Sequence, residues 1–258
     1  MISLLLNWFG MAVCDVPTTA DFYGNLLGFA FKEDADNDLW RYFETRNMVF
    51  EIFAAHPARI KVEGWGRGQA FRPAFLASDL LTVENKLSKL GVRYSKDPSE
   101  FGKRLEMVGP DNIRMSFIES PEAEIDWKHP LVGGIELKAA RLEAQREFYE
   151  EVFGMSATQH NSGLLHLTQS NGAAWLRIEG GGRLSSLPSE AGNDTPAFFY
   201  PIWISFETQD AESANTWLES RDVSVLQPIT YHQDWGGTDI IIADPDGNAI
   251  QIVEYGKQ

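Results

Sequence analysis

"WFGMAVCDVPTTADFYGNLLGF", residues 8–29, decides how this chain folds. Phe9, Met11 and Val13 alternate with smaller residues, the two-residue period of a strand with one buried face. Asp15 then stands where a helix N-cap belongs. Ala20, Phe22, Tyr23, Leu26 and Leu27 recur at helical spacing, and Gly28 stops the helix. The pattern returns in "GIELKAARLEAQREFYEEVFGM", residues 134–155. There Ile135, Leu137 and Ala139 alternate before a stripe of Leu142, Phe148, Tyr149, Val152 and Phe153 that closes on Gly154. Two looser copies are "FRPAFLASDLLTVENKLSKLGV" (71–92), with Asp79 as cap and Gly91 as stop, and "WISFETQDAESANTWLESRDV" (203–223), with Asp210 as cap.

Short alternating segments follow each helix. They cover about 29–33, 38–45 and 48–54, then 104–108 and 111–118, then 163–169 and 173–179, then 238–243 and 248–255. Asn171-Gly172 and Asp244-Pro245-Asp246-Gly247 supply turn chemistry between the later segments. The spacing therefore predicts four β-α-β-β-β units, capped at Asp15, Asp79, Arg141 and Asp210. A single unit leaves one sheet face bare, so units must pair to cover it. Units one and two are expected to form an N-terminal domain (1–120), and units three and four a C-terminal one (128–258). The acidic join "ESPEAEIDWKHP" (119–130) lies between them. The Gly/Ser/Pro-rich stretch 180–197 and the crossing 55–70 read as surface loops.

Composition narrows the function. A formal charge of −15 opposes binding to nucleic acid or to anionic membrane surfaces. No apolar run reaches the length of a membrane helix. The single cysteine, Cys14, excludes an internal disulfide, fits a reducing cytoplasm, and reads as an inert packed thiol at a strand end.

The strand-Asp-helix-FY-LG pattern of unit one, the FY-FG counterpart in unit three and "DPDGN" in unit four resemble the glyoxalase/bleomycin-resistance/extradiol-dioxygenase superfamily, the vicinal oxygen chelate proteins. The resemblance implies an α+β fold of four βαβββ modules paired into two glyoxalase-like domains with cup-shaped mixed sheets. It also implies a divalent metal in each catalytic cup, bound by His, Gln or Glu on the first and last strands of two paired units. Function is not implied as closely, because the fold serves isomerases, dioxygenases, thiol transferases and drug-sequestering proteins.

Alternation lists the cup-facing side chains. The positions matching the family's ligands are Trp8 and Glu51, Arg72 and Ser116, Gly134 and Arg177, Trp203 and Gln251. Only Glu51 and Gln251 could serve, and a catalytic zinc site wants about three protein ligands. The expectation is a small-molecule binder with no metal and no other cofactor. The pocket residues expected are Trp8, Glu51, Phe53, Arg72, Arg114, Ser116, Glu136, Arg177, Trp203 and Gln251. Trp8, Phe53, Arg72, Arg114 and Glu51 are expected to share the N-terminal cup and to suit an aromatic or unsaturated organic anion.

Plainer readings stand beside the sharp ones. Glu51 with Arg72 is either an acid-base pair or a neutralised ion pair, and Trp8 and Trp203 either stack on a ligand or plug the cups. His56, His129, His160 and His232 read as loop residues and His166 as a strand residue, none of them ligands. "YHQDWGG" (231–237) is either a lip over a pocket or a loop that needs its glycines. The alternatives in function are a metal-dependent lyase, isomerase or extradiol-type dioxygenase, and an interaction module with vestigial pockets. A homodimer is left open.

Overall fold

A computed structural model describes residues 4–28, 32–33, 40–45, 47–55, 71–99, 102–119, 132–161, 163–169, 174–184, 202–233 and 235–256. The loops expected at 55–70 and 180–197 and the join at 119–130 fall almost wholly outside these residues.

Four βαβββ units follow one another. Unit one is β1 (Leu5–Val13), α1 (Val16–Leu27), β2 (Lys32–Glu33), β3 (Trp40–Glu44) and β4 (Val49–Ala54). Unit two is β5 (Phe71–Ala77), α2 (Leu80–Lys89), β6 (Tyr94–Ser99), β7 (Gly102–Val108) and β8 (Arg114–Glu119). Unit three is β9 (Val132–Ala139), α3 (Leu142–Phe153), β10 (Ser156–Asn161), β11 (Leu164–Thr168) and β12 (Trp175–Gly180). Unit four is β13 (Ile202–Glu207), α4 (Ala211–Glu219), β14 (Val225–His232), β15 (Gly237–Ala243) and β16 (Ala249–Glu254).

The helix starts follow the sequence signals. The carboxylates of Asp15, Asp79 and Asp210 accept backbone N–H groups of the first turns of α1, α2 and α4. Gly28 and Gly154 close α1 and α3 in the left-handed conformation that glycine adopts at least cost. At α3 the cap position holds Arg141, which gives no side-chain cap. Asp246 of the DPDGN turn acts there instead, accepting Ala140 N–H at 2.7 Å and Arg141 Nε at 3.2 Å. The matching turn of unit two latches unit one, where Asp111 accepts Cys14 N–H at 2.9 Å.

The pairing of the sheets corrects one expectation. The first eight-stranded sheet runs β14-β15-β16-β13-β1-β4-β3-β2, joining unit four to unit one. The second runs β10-β11-β12-β9-β5-β8-β7-β6, joining unit three to unit two. Units one and two therefore do not share a cup. They meet through their helix sides, where Phe50 and Phe75 pack edge to face, Lys86 Nζ donates to Leu26 O, and Gly109 lies so close to Tyr23 that a Cβ would meet its hydroxyl at 2.4 Å. Phe153 and Phe206 stack likewise between units three and four. Neighbouring units thus bury helix faces against each other, while the free edges of β1 and β5 pair with the other half of the chain. Hydrophobic alternation fixes which face of a strand is buried, and it carries no information about which edge partner the chain will find. A division into residues 1–120 and 128–258 remains a proposal about helix-side packing.

Registers read from the sequence hold. Phe9, Met11, Val13, Phe50, Ile52, Ile204, Ile250 and Ile252 are fully buried on the helix side. Their alternates face the cups.

Candidate ligand site in the first cup

In the first cup, β1 and β13 run antiparallel at the centre, with Phe9 opposite Ile204. β4 and β16 flank them in parallel, setting Gly10 beside Glu51 and Ser205 beside Gln251. Trp8 and Trp203 occupy equivalent places about this axis. Trp203 is buried and lies across the neighbouring strand, so close that a Cβ on Gly10 would come within 2.5 Å of its indole. Trp8 is half-buried and packs on Tyr255 with ring centres 5.1 Å apart.

Glu51 is the notable polar group on this floor. Its carboxylate accepts the indole N–H of Trp40 at 3.1 Å, and Tyr42, stacked on Trp40, lies opposite it in register. Phe53, next on the same face, packs against Trp203. Burial pushes the Glu51 carboxyl up to about 8, and only the Trp40 hydrogen bond opposes the rise. Gln251, by contrast, is held at both ends. Its Oε1 accepts Ser205 Oγ–H at 2.6 Å and its Nε2 donates to Asp239 at 2.8 Å. Asp239 is a hub that also accepts Gln227 Nε2 at 2.8 Å and faces His232 Nε2 at 2.9 Å. His232 stacks on Trp235, which reaches Tyr255. His232 and Trp235 thus connect through Tyr255 to Trp8. The glycines of 231–237 are needed as well, with Gly236 at φ 70° and Gly237 directly under the Trp235 ring.

The second cup is built differently. Glu136, buried, accepts Ser116 Oγ–H at 2.6 Å and Arg104 Nη1 at 2.7 Å, with Arg177 at 3.4 Å and Arg72 at 3.7 Å. Glu106 bridges Arg72 and Arg104, and Glu179 bridges Arg104 and Arg177. Three arginines and three glutamates neutralise one another there, and Arg72, Arg104, Arg177 and Glu136 are buried. Trp175 covers Gly134, whose Cβ would lie 2.1 Å from the Trp175 carbonyl oxygen.

This arrangement exchanges residues between the two cups expected from sequence, which paired unit one with unit two and unit three with unit four. Trp8, Glu51, Phe53, Trp203 and Gln251 come together in the first cup. Arg72, Ser116, Glu136 and Arg177 lie in the second, and Arg114 is exposed at the start of β8. The Glu51–Arg72 pair is therefore corrected, because Arg72 meets Glu106 and Glu136 in the other sheet. The organic-anion reading loses its arginines for the same reason. Cys14 is exposed rather than packed, with its thiol pushed up to about 12 by desolvation and by Asp111. His160 and His232, expected in loops, lie in β10 and β14. Asp239, Trp40 and Tyr255 were not among the candidates from sequence, and His232 entered only as part of 231–237. Only the aromatic content of 231–237 and the alternation of β15 hinted at them.

A divalent metal does not suit these donors. The ligand positions offer one carboxyl and one amide in the first cup, the amide already engaged at both ends. In the second cup they offer two guanidinium groups, a serine and a glycine. Among the described residues no three His, Cys, Asp or Glu side chains converge on a metal-binding point.

Comparison with known families matches the Glyoxalase/Bleomycin resistance protein/Dioxygenase superfamily over residues 5–114 and 132–252. The chain belongs to that superfamily. Among solved structures it is similar to glyoxalase I from Zea mays, at 16% identity and TM-score 0.71 over 98% of this chain and 92% of that one. A putative dioxygenase from Bacillus subtilis is similar too, at 16% identity and TM-score 0.70 over 99% and 86%. Identities this low speak for the superfamily fold alone. No curated protein sequence matches. No described helix is long and apolar enough to cross a membrane.

Proposed function

We propose that this superfamily member is a small-molecule-binding protein that uses its first cup and needs no metal there. The observation that carries the reading is Glu51. A carboxyl on a cup floor, lifted to about 8 by burial and balanced only by an indole N–H, costs folding energy above neutral pH, and groups perturbed in this way gather at functional sites. Around it Trp8, Trp40, Tyr42, Phe53 and Gln251 are only half-buried, so solvent reaches the rings and polar groups together. Apolar enclosure with a few converging polar groups is the usual makeup of a ligand site. The second cup lacks this character, because its charges are buried against one another. Its role in this reading is structural.

Indole N–H NMR of the protein during a screen of small organic fragments tests the proposal. Fragments should shift the signals of Trp8, Trp40 and Trp203 and leave Trp175 unmoved. Shifts confined to Trp175 would move the site to the second cup, and no shifts at all would leave the reading without support. A second reading, metal-independent proton transfer, is favoured by a Glu51 carboxyl that exchanges its proton close to neutral pH. Turnover of a bound compound should then follow one ionisation near that value and disappear in Glu51→Gln.

A further inference from the structure

We infer that the first cup selects a flat organic cation carrying N–H donors, of the aromatic ammonium or amidinium class. This inference rests on the reading of that cup as the ligand site. Three observations on separate strands support it.

The rings come first. Trp40 and Tyr42 stack beside Glu51, Phe53 and Trp203 pack beyond it, and Trp8 with Tyr255 closes the other side. Ring faces attract cations, tryptophan most strongly.

Charge comes second. Glu51 on β4, Glu207 on β13 and Asp239 on β15 give this cup three acidic side chains, and their field helps to disfavour ionisation of the Tyr255 hydroxyl. Among the described residues their partners in this cup are Trp40 for Glu51, Asn7 for Glu207, and His232, Gln227 and Gln251 for Asp239, whereas three arginines are spent in the other cup. Lys32, paired in register with Tyr42 on the edge strand, lies outside the described side chains.

The third observation is independent of charge. Asn7 donates its amide N–H to Glu207, and its own Oδ1 is buried with no donor among the described residues. An unspent buried acceptor calls for a donor. Glu207, Asp239 and this carbonyl oxygen are acceptors, and Glu51 becomes one when it gives up its proton, so a ligand rich in N–H groups completes the set and an anion does not.

Benzamidinium, benzamide and benzoate share a planar frame and differ in charge and donors, which makes them suitable probes. Calorimetric titration of wild type, Glu51→Gln and Asp239→Asn, with indole N–H shifts locating each probe, is the experiment. Benzamidinium should bind at least about tenfold more tightly than benzamide, with benzoate weakest. A cation beside Glu51 favours its ionised form, so binding near neutral pH should release close to one proton in wild type and none in Glu51→Gln. Asp239→Asn, which keeps the shape, should weaken benzamidinium and spare benzamide. Benzamide or benzoate binding in this cup as tightly as benzamidinium overturns the cation class while the small-molecule reading survives. Failure of every probe, at millimolar concentrations, to shift Trp8, Trp40 or Trp203 overturns both.

Discussion

Replacing Glu51 by Gln should make the protein more stable in mildly alkaline solution and change little in acid. Gln keeps the size of the side chain and an oxygen that can accept from Trp40, so the packing of the floor is preserved. What it removes is an ionisable group whose folded-state value is raised from 4.5 to about 8. Such a group adds stability that is complete below pH 4.5 and is lost as pH climbs through 8. At about 1.4 kcal/mol per unit, the full shift corresponds to roughly 5 kcal/mol, of which about 3.5 kcal/mol is lost between about pH 5 and pH 8. Glu51 is half-buried, and solvent screening brings the expected loss to about 2 kcal/mol. In a chain of this size that is about 4–8 °C of Tm. Thermal unfolding of wild type and Glu51→Gln should be followed from about pH 5 to pH 9 in buffers of matched ionic strength. The two curves should converge at the acid end and separate steadily above it, with the variant higher. Parallel curves would refute the argument, since they would mean that Glu51 titrates as an ordinary solvated carboxyl.

Other perturbations have equally defined outcomes. Glu136→Ala strips the central acceptor from three arginines and should cost about 3–5 kcal/mol in denaturant unfolding, because it leaves buried guanidinium groups uncompensated. Gly10→Ala puts a methyl group within 2.5 Å of the Trp203 indole and should cost about 1–3 kcal/mol while changing tryptophan emission. Asp246→Ala leaves Ala140 N–H and Arg141 without their acceptor, and should lower stability by about 1–3 kcal/mol with the effect concentrated in hydrogen exchange at the start of α3. Asp244, raised from 3.8 to about 6 mainly by burial, should contribute stability that is complete below pH 3.8 and lost as pH rises through 6, a component absent in Asp244→Asn.

The repeat and the strand faces were legible because burial imposes them residue by residue. Phe9-Met11-Val13 and Ile250-Ile252 alternate since one face of each strand must be dry. The strands missed outright, β6, β10 and β14, are outer strands of the sheets. "YSKDPS" carries Lys96, Asp97 and Pro98, and β14 carries Pro228, residues that guard an edge against further pairing and so hide the strand signal. The cap of α3 was misread for a different reason, because Asp246 reaches it from over a hundred residues away. Glu51, Trp8, Trp203 and Gln251 are the residues that alternation sets at the ligand positions implied by the family resemblance. Their partners were assigned wrongly. Arg72 was drawn to Glu51 by opposite charge and sequence proximity, whereas the edge pairing of β1 with β13 sends the two residues to different sheets. Asp239 could not be found that way, since its role depends on Gln251, Gln227 and His232 arriving from two other strands.

The central claim is a ligand site in the first cup that works without a metal. It is tested most directly by titrating a fragment that shifts the Trp8 and Trp203 indole signals into protein dialysed against a strong chelator, with and without added zinc, nickel, iron or manganese. The account predicts the same affinity in the stripped protein as before stripping, and no gain on adding any of these ions. Loss of binding on stripping, restored by a single divalent metal, would contradict it.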